Sequence, residues 1–155
     1  MISVIVPCYN STHMLNCLIE ETRAVFAKIG VTKYEFVLVN DCSPNPESCE
    51  RILTLGKENS DIKVIDLAKN TGQANAQLTA LNYAEGDIIV NMDDDMQTHP
   101  KNIPVLLDKL KEGYDLVLGK YKKKKHSAFR NLLTKMDNIF EHIVMGKPKD
   151  LDFTS

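Results

Sequence analysis

The stretch "NMDDDMQTHP" at residues 91 to 100 sets Asp93, Asp94 and Asp95 side by side. Two carboxylates about 5 Å apart repel by roughly 3 kcal/mol at an effective dielectric of about 20, so the cluster is costly unless something positive joins it. A divalent cation is the natural remedy. All-oxygen donors suit Mg²⁺ or Mn²⁺, which keep several waters and bind through one or two carboxylates plus substrate phosphates. On an extended chain Asp93 and Asp95 fall on one side and Asp94 on the other. The expected metal ligands are Asp93 and Asp95, with Gln97 a further oxygen donor on the same side if the extended path continues. The competing reading is that Asp95 or a neighbour caps a helix starting near Pro100 while the others are solvated.

Other phosphate-binding devices are missing. No Gly-x-Gly-x-x-Gly follows a strand, and "GYDLVLGK" imitates a Walker A loop poorly, having no Ser or Thr after its Lys. A metal is left to do much of the phosphate work.

The elements that must position these residues follow from the hydrophobic pattern. "ISVIVP" precedes a helical period over 12 to 29, "EFVLVN" one over 47 to 59, and "IKVIDL" one over 73 to 85. "DIIVNM" precedes 101 to 112, and "YDLVLG" precedes 127 to 145. This βα alternation, with strands apolar along their length, predicts an α/β fold: a mainly parallel sheet with helices on both faces. Gly30 is expected to stop the first helix, "EGD" at 85 to 87 to end the third, and Pro100 to sit in the first turn of the fourth. Ligands of such sheets sit beyond the carboxyl ends of the strands. Those ends read "PCYN", "NDCSPN", "AKNTGQ" and "MDDDMQ", all polar and rich in Asn, Asp and Gly.

The chain of 155 residues, 43% hydrophobic with net charge -2, suits one domain with a sizeable core. Its balance of 19 basic and 21 acidic residues argues against a nucleic-acid partner. Cys8, Cys17, Cys42 and Cys49 match neither a zinc site nor a Cys-x-x-Cys motif, and are expected as reduced thiols of a cytoplasmic protein. No apolar run approaches the roughly 20 residues that span a bilayer. The ending "DLDFTS" has no helix stop, and residues 1–155 are expected to be one catalytic domain interrupted at its C-terminal end.

"VIVPCYN" at 4 to 10, "FVLVNDCSPN" at 36 to 45, "KNTGQANA" at 69 to 76 and "GDIIVNMDDDMQTHP" at 86 to 100 together resemble, in order and spacing, the family 2 glycosyltransferases. Within that family, "KNTGQ", "DDDMQTHP" and "YDLVLGKYKKKKHSAFRNLLTK" look like the polyprenyl-phosphate sugar transferases, the group containing dolichol-phosphate mannose synthase. The resemblance implies the GT-A (nucleotide-diphospho-sugar transferase) fold. It also implies transfer of a sugar, with inversion, from a metal-bound nucleotide-diphosphate donor, expected to be UDP-linked, to a polyprenyl phosphate or a growing glycan. Carried over by position, Pro7, Tyr9 and Asn10 line the nucleotide pocket and Asp41 hydrogen-bonds the base. Asn70, Gly72, Gln73 and Asp94 belong to the substrate-binding site, Asp93 serves the ribose or the metal, and Asp95 is the main metal ligand on the diphosphate. Gln97 matches the glutamine that follows the Asp-x-Asp in the lipid-phosphate group. Asn40 departs from the pattern, standing where most members carry the first Asp of a pair. Asp152 resembles the Asp of a "GDF" or "GDY" stretch, and would act as general base toward a hydroxyl or merely orient an already ionised lipid phosphate.

Residues 120 to 135 hold seven Lys or Arg and no acid. Lys120 and Arg130 are the candidates for contacting phosphates of donor or acceptor. Behind them Phe129, Leu132, Leu133, Met136, Ile139, Phe140 and Ile143 recur at helical spacing, a pattern of core packing or of an anionic membrane surface at the inner face. Two rival classes stand beside the transferase. One is a Mg²⁺-dependent phosphohydrolase, whose acid pair normally follows the first strand; the other is a nucleotide-sugar-binding module without turnover.

Overall fold

The β-branched runs and the amphipathic stretches between them fold, in chain order, as β1 (Ile2–Cys8), α1 (Met14–Lys28), β2 (Tyr34–Asn40), α2 (Pro46–Glu58), β3 (Ile62–Asp66), α3 (Gln73–Tyr83), β4 (Ile88–Asn91) and α4 (Ile103–Leu110). A single 3₁₀ turn, Pro100–Asn102, leads into α4. This computed structural model describes residues 1–119. Lys120, Arg130, Asp152 and the helix expected over 127 to 145 lie outside the described residues. The chain divides into two compact units, Met1–Val117 and Leu118–Ser155, and the elements above belong to the first.

The four strands are parallel, in the order β3-β2-β1-β4. Alternate residues of the inner strands serve opposite faces. Val4, Val6, Phe36 and Leu38 join Leu15, Leu18, Ile19 and Phe26 of α1, Ile52 of α2 and Ile103 of α4 in the larger core. Ile5, Val37 and Val39 face Ala76 and Ala80 of α3, small residues that let that helix lie close to the sheet. Helices therefore cover both faces, as the apolar strands require.

Local punctuation agrees with the sequence in part. Gly30 (φ +73) ends α1 with the Gly30 amide on Ala27 O at 3.3 Å and the Val31 amide on Phe26 O at 2.9 Å, the paired bonds of a Schellman stop. "EGD" does not end α3, which stops at Tyr83 with Ala84 as its cap. Gly86 is small for another reason: a Cβ there would lie 2.6 Å from the Ser3 amide nitrogen of β1. Pro100 opens the 3₁₀ turn, whose cap is His99 Nδ1 accepting from the Lys101 amide at 3.5 Å. No aspartate of the cluster caps it. "YDLVLG", expected as a fifth strand, takes no ladder, and Tyr114 and Leu116 are 53% and 72% exposed. A pattern of alternation becomes a strand only beside a neighbouring backbone, and none pairs with this run among the described residues.

The amino ends of the strands are held by ion pairs. Lys63 Nζ lies 2.7 Å from Glu85 and 3.5 Å from Glu35, Arg23 grips Asp61 at 2.7 Å, and the Met1 ammonium meets Asp87 at 2.7 Å. Burial by itself would raise the Glu35 pKa, but the Ser3 hydroxyl, the Glu85 amide and Lys63 hold it below the ordinary range.

The carboxyl ends are tied differently. Asn40, the last residue of β2, is 1% exposed. Its Nδ2 donates to Asp66 Oδ1 at 2.7 Å, and its Oδ1 accepts from the Ser43 hydroxyl at 2.5 Å and the Ser43 amide at 3.2 Å. Ser43 Oγ in turn accepts the Asn10 amide at 2.9 Å. Position 40 offers a donor toward Asp66, which an amide supplies and an ionised carboxylate would not. Asn40→Asp is expected to cost about 2 kcal/mol or more at neutral pH, since a buried carboxylate would face Asp66 and lose its donor. The new carboxyl would titrate higher in the folded than in the unfolded state. The deficit should therefore be small below about pH 4 and grow as pH rises above it, which urea melts at pH 3.5 and 7 would measure. An equal deficit at both values would refute the charge explanation.

Candidate functional site

The chain winds outward from β1 to β3 and then returns to place β4 on the far side of β1. Connecting loops part at such a reversal and leave a crevice beyond the carboxyl ends. The β1 loop and the acid cluster meet there. The β1–β4 ladder runs only from Ile2↔Ile88 to Ile5↔Asn91. Pro7, buried within β1, thus removes its N–H where β4 has already left, a place where proline costs no ladder bond.

After Asn91 the chain does not stay extended. A turn begins at Asp94, and Met96 takes φ +61. The alternation expected to carry Gln97 to the same side as Asp93 and Asp95 is therefore absent. Gln97 reaches Asp95 by the turn instead: its amide donates to Asp95 Oδ1 at 3.0 Å and its Nε2 to Oδ2 at 2.7 Å. Its side-chain nitrogen, not its oxygen, faces the carboxylate.

The three aspartates meet different partners, two of them on other elements and the third on its own turn. Asp93, half-buried, accepts from Gln73 Nε2 at the start of α3 at 3.0 Å. Asp94 accepts from the Ser11 hydroxyl and the Tyr9 amide, both of the β1 loop. Burial pushes the Asp94 carboxyl above the ordinary range and the neighbouring Asp95 charge adds to this, against those two hydrogen bonds. Asp95 is exposed. Among the described residues no ion pair involves Asp94 or Asp95.

The other loops close the circle. Asp41, 4% exposed, accepts from Thr71 N at 2.7 Å, Thr71 Oγ1 at 2.9 Å and Gly72 N at 2.8 Å. Asn10 (φ +54) accepts the Asn45 amide at 3.2 Å. Tyr9 is 51% exposed in the β1 loop, and Asn70 is exposed with no hydrogen bond among the described residues. The structure thus joins Tyr9, Asp94 and Ser11, joins Asp41 with Gly72, and joins Gln73 with Asp93. It puts Pro7 inside the sheet. Ser11 and Thr71 were not singled out by sequence; their only signal is a hydroxyl directly after "PCYN" and within "KNTGQ".

Two chemistries can be weighed here. Cys8 is no nucleophile, because burial and the nearby Asp94 charge push its thiol far above the usual range. Among the described residues no three His, Cys, Asp or Glu side chains converge on one point. A hard, hydrated divalent ion needs less, only one or two carboxylates, and an exposed Asp95 that meets no cation among the described residues fits it.

Comparison with solved structures agrees with this architecture. The mannosyltransferase PcManGT from Pyrobaculum calidifontis, solved in complex with GDP-Man and Mn2+, superposes with TM-score 0.58 at 23% identity, over 86% of this chain and 38% of its own length. A mycobacterial protein matches with TM-score 0.53 at 16% identity, over 93% of this chain and 49% of its own. This chain therefore spans less than half of either. The fold is α/β of the GT-A kind. The model of the family described as "Glycosyl transferase family 2" matches residues 3–153, and the chain belongs to that family.

Proposed function

We propose that this domain transfers a sugar, with inversion, from a nucleotide-diphosphate donor, expected to be UDP-linked, to a polyprenyl phosphate or a growing glycan. The observation that carries the reading is an exposed Asp95, held only by Gln97 of its own turn among the described residues, beside the Tyr9 loop at the reversal of strand order in a glycosyltransferase fold. Asp93 and Asp95 would hold a divalent metal, with Gln97 joining once its amide oxygen is turned inward. A metal there would supply positive charge for the β-phosphate as the bond to the sugar C1 breaks.

The chain's own residues do the rest. Tyr9 and Asn10 border the nucleotide, and Asp94 holds their loop against the acid cluster. Asp41 has roughly one of its four acceptor positions left for the base. Asn70 and Gly72 bound the donor site from the β3 loop, and Gln73 sets Asp93. Lys120 and Arg130 are the proposed phosphate contacts. Asp152 is the proposed general base for a hydroxyl acceptor, or an orienting group for a lipid phosphate. A carboxylate cannot serve as base beyond hydrogen-bond reach of the acceptor, so this role is decided by Asp152→Asn activity with each acceptor class.

Calorimetric titration of UDP and GDP with Mn²⁺, Mg²⁺ or chelator tests the reading. The expected result is binding of one nucleotide only with metal, weakened at least about tenfold by Asp95→Ala, equivalent to about 1.4 kcal/mol. Binding that ignores both metal and substitution would overturn it.

No helix among the described residues is long and apolar enough to cross a membrane. The basic run Lys122 to Lys125 supports peripheral docking at an anionic surface, each lysine contributing about 1 kcal/mol there. Vesicles with about a third anionic lipid should co-sediment the protein, neutral vesicles should not, and changing the four lysines to Gln should abolish the difference. Equal sedimentation with both vesicle types would remove the docking proposal.

A further inference from the structure

The Asp41 carboxylate is engaged from one side by a single short loop. Its Oδ1 accepts from the amide and hydroxyl of Thr71, at 2.7 and 2.9 Å, and its Oδ2 from the Gly72 amide at 2.8 Å. Gly72 stands at φ +87, ψ 156 and caps α3 without a side chain, so nothing in the helix's own cap fixes the direction in which the loop enters it. A buried charge at the end of β2 does so instead. The next residue, Gln73, begins α3 and reaches Asp93 Oδ1 with its Nε2 at 3.0 Å.

A carboxylate whose main task was to read a base would keep its acceptors toward solvent. Asp41 is 4% exposed and gives three of its acceptor positions to its own chain. Charge-assisted bonds of this length are about twice as strong as neutral ones, and two of the three go to the backbone, whose path they therefore set. We propose that Asp41 is a positioning residue: through Thr71 and Gly72 it sets Gln73, and Gln73 orients Asp93 toward the metal and diphosphate. This rests on the functional reading above. It adds that the two ends of the donor site, nucleoside side and metal side, are energetically coupled through one carboxylate and one glutamine.

Two measurements test it. In protein free of metal and nucleotide, hydrogen exchange at the Thr71 and Gly72 amides should accelerate at least about tenfold in Asp41→Asn and stay unchanged in Gln73→Ala. With Mn²⁺ and whichever of UDP or GDP the wild type binds, each single substitution should weaken binding about tenfold. The double variant should be hardly weaker than either single one, against about a hundredfold for independent sites. Should Asp41→Asn fail to fold, Thr71→Val replaces it in the cycle, since it removes only the hydroxyl contact. Unchanged exchange in Asp41→Asn, or an additive cycle with wild-type binding intact, overturns the positioning role alone. A wild type that binds neither nucleotide with Mn²⁺ overturns the functional reading and this role with it.

Discussion

Where a parallel strand ends, the next strand no longer takes its backbone groups, and in a buried sheet each of those groups must still find a partner. In this protein short polar side chains of one loop take the amides of the next. The Asn10 amide goes to Ser43, the Asn45 amide to Asn10, the Thr71 and Gly72 amides to Asp41, and the Tyr9 amide to Asp94. Gln73 and Ser11 complete the circuit by donating to Asp93 and Asp94. The result is a ring of loops, each holding its neighbour, on a rigid four-stranded floor. Such supporting bonds keep a binding site in register before any ligand arrives.

The same ring resolves the crowding of three adjacent acids. On one extended strand they would repel at short range with little between them; the turn that begins at Asp94 sends them in different directions. Asp93 looks to α3, Asp94 is sunk against the β1 loop, and Asp95 stands in solvent with Gln97. Identical residues thereby acquire different properties. Burial and the Asp95 charge make Asp94 harder to ionise, which suits a strut, whereas Asp95 keeps the exposure a cation needs.

The fold was legible because its signals are local and repeated: four apolar β-branched runs, each followed by a helical period, admit few other architectures. The edge of the site was legible for the same reason, since strand ends announce themselves by composition. Contacts between loops were not. Nothing within "VNDCSPN" reveals that the Asn40 amide answers Asp66 across the sheet, because their adjacency is a product of the β2–β3 register. The extended path beyond Asn91 failed for a related reason, as Met96 adopts a left-handed conformation that its side chain does not advertise. "YDLVLG" misled in the opposite sense, carrying a strand's pattern without a partner among the described residues.

The two ends of the sheet answer their acids by opposite means. At the amino ends Glu35, Glu85, Asp61 and Asp87 meet Lys63, Arg23 or the terminal ammonium, so each acid has a cation beside it. At the carboxyl ends Asp41, Asp66, Asp94 and Asp95 receive amides and hydroxyls. A neutral donor satisfies the hydrogen-bonding need of a carboxylate but leaves its full negative charge in place. Among the described residues these acids therefore lend the carboxyl edge a negative field. Two unit charges about 6 Å apart still interact by roughly 3 kcal/mol at an effective dielectric of about 20, so a bare diphosphate would be repelled from this edge. A cation arriving with the diphosphate reverses the sign of that interaction. The amino ends are built for stability, and among the described residues no ion pair offsets Asp94 or Asp95 at the carboxyl ends, where a bound cation would.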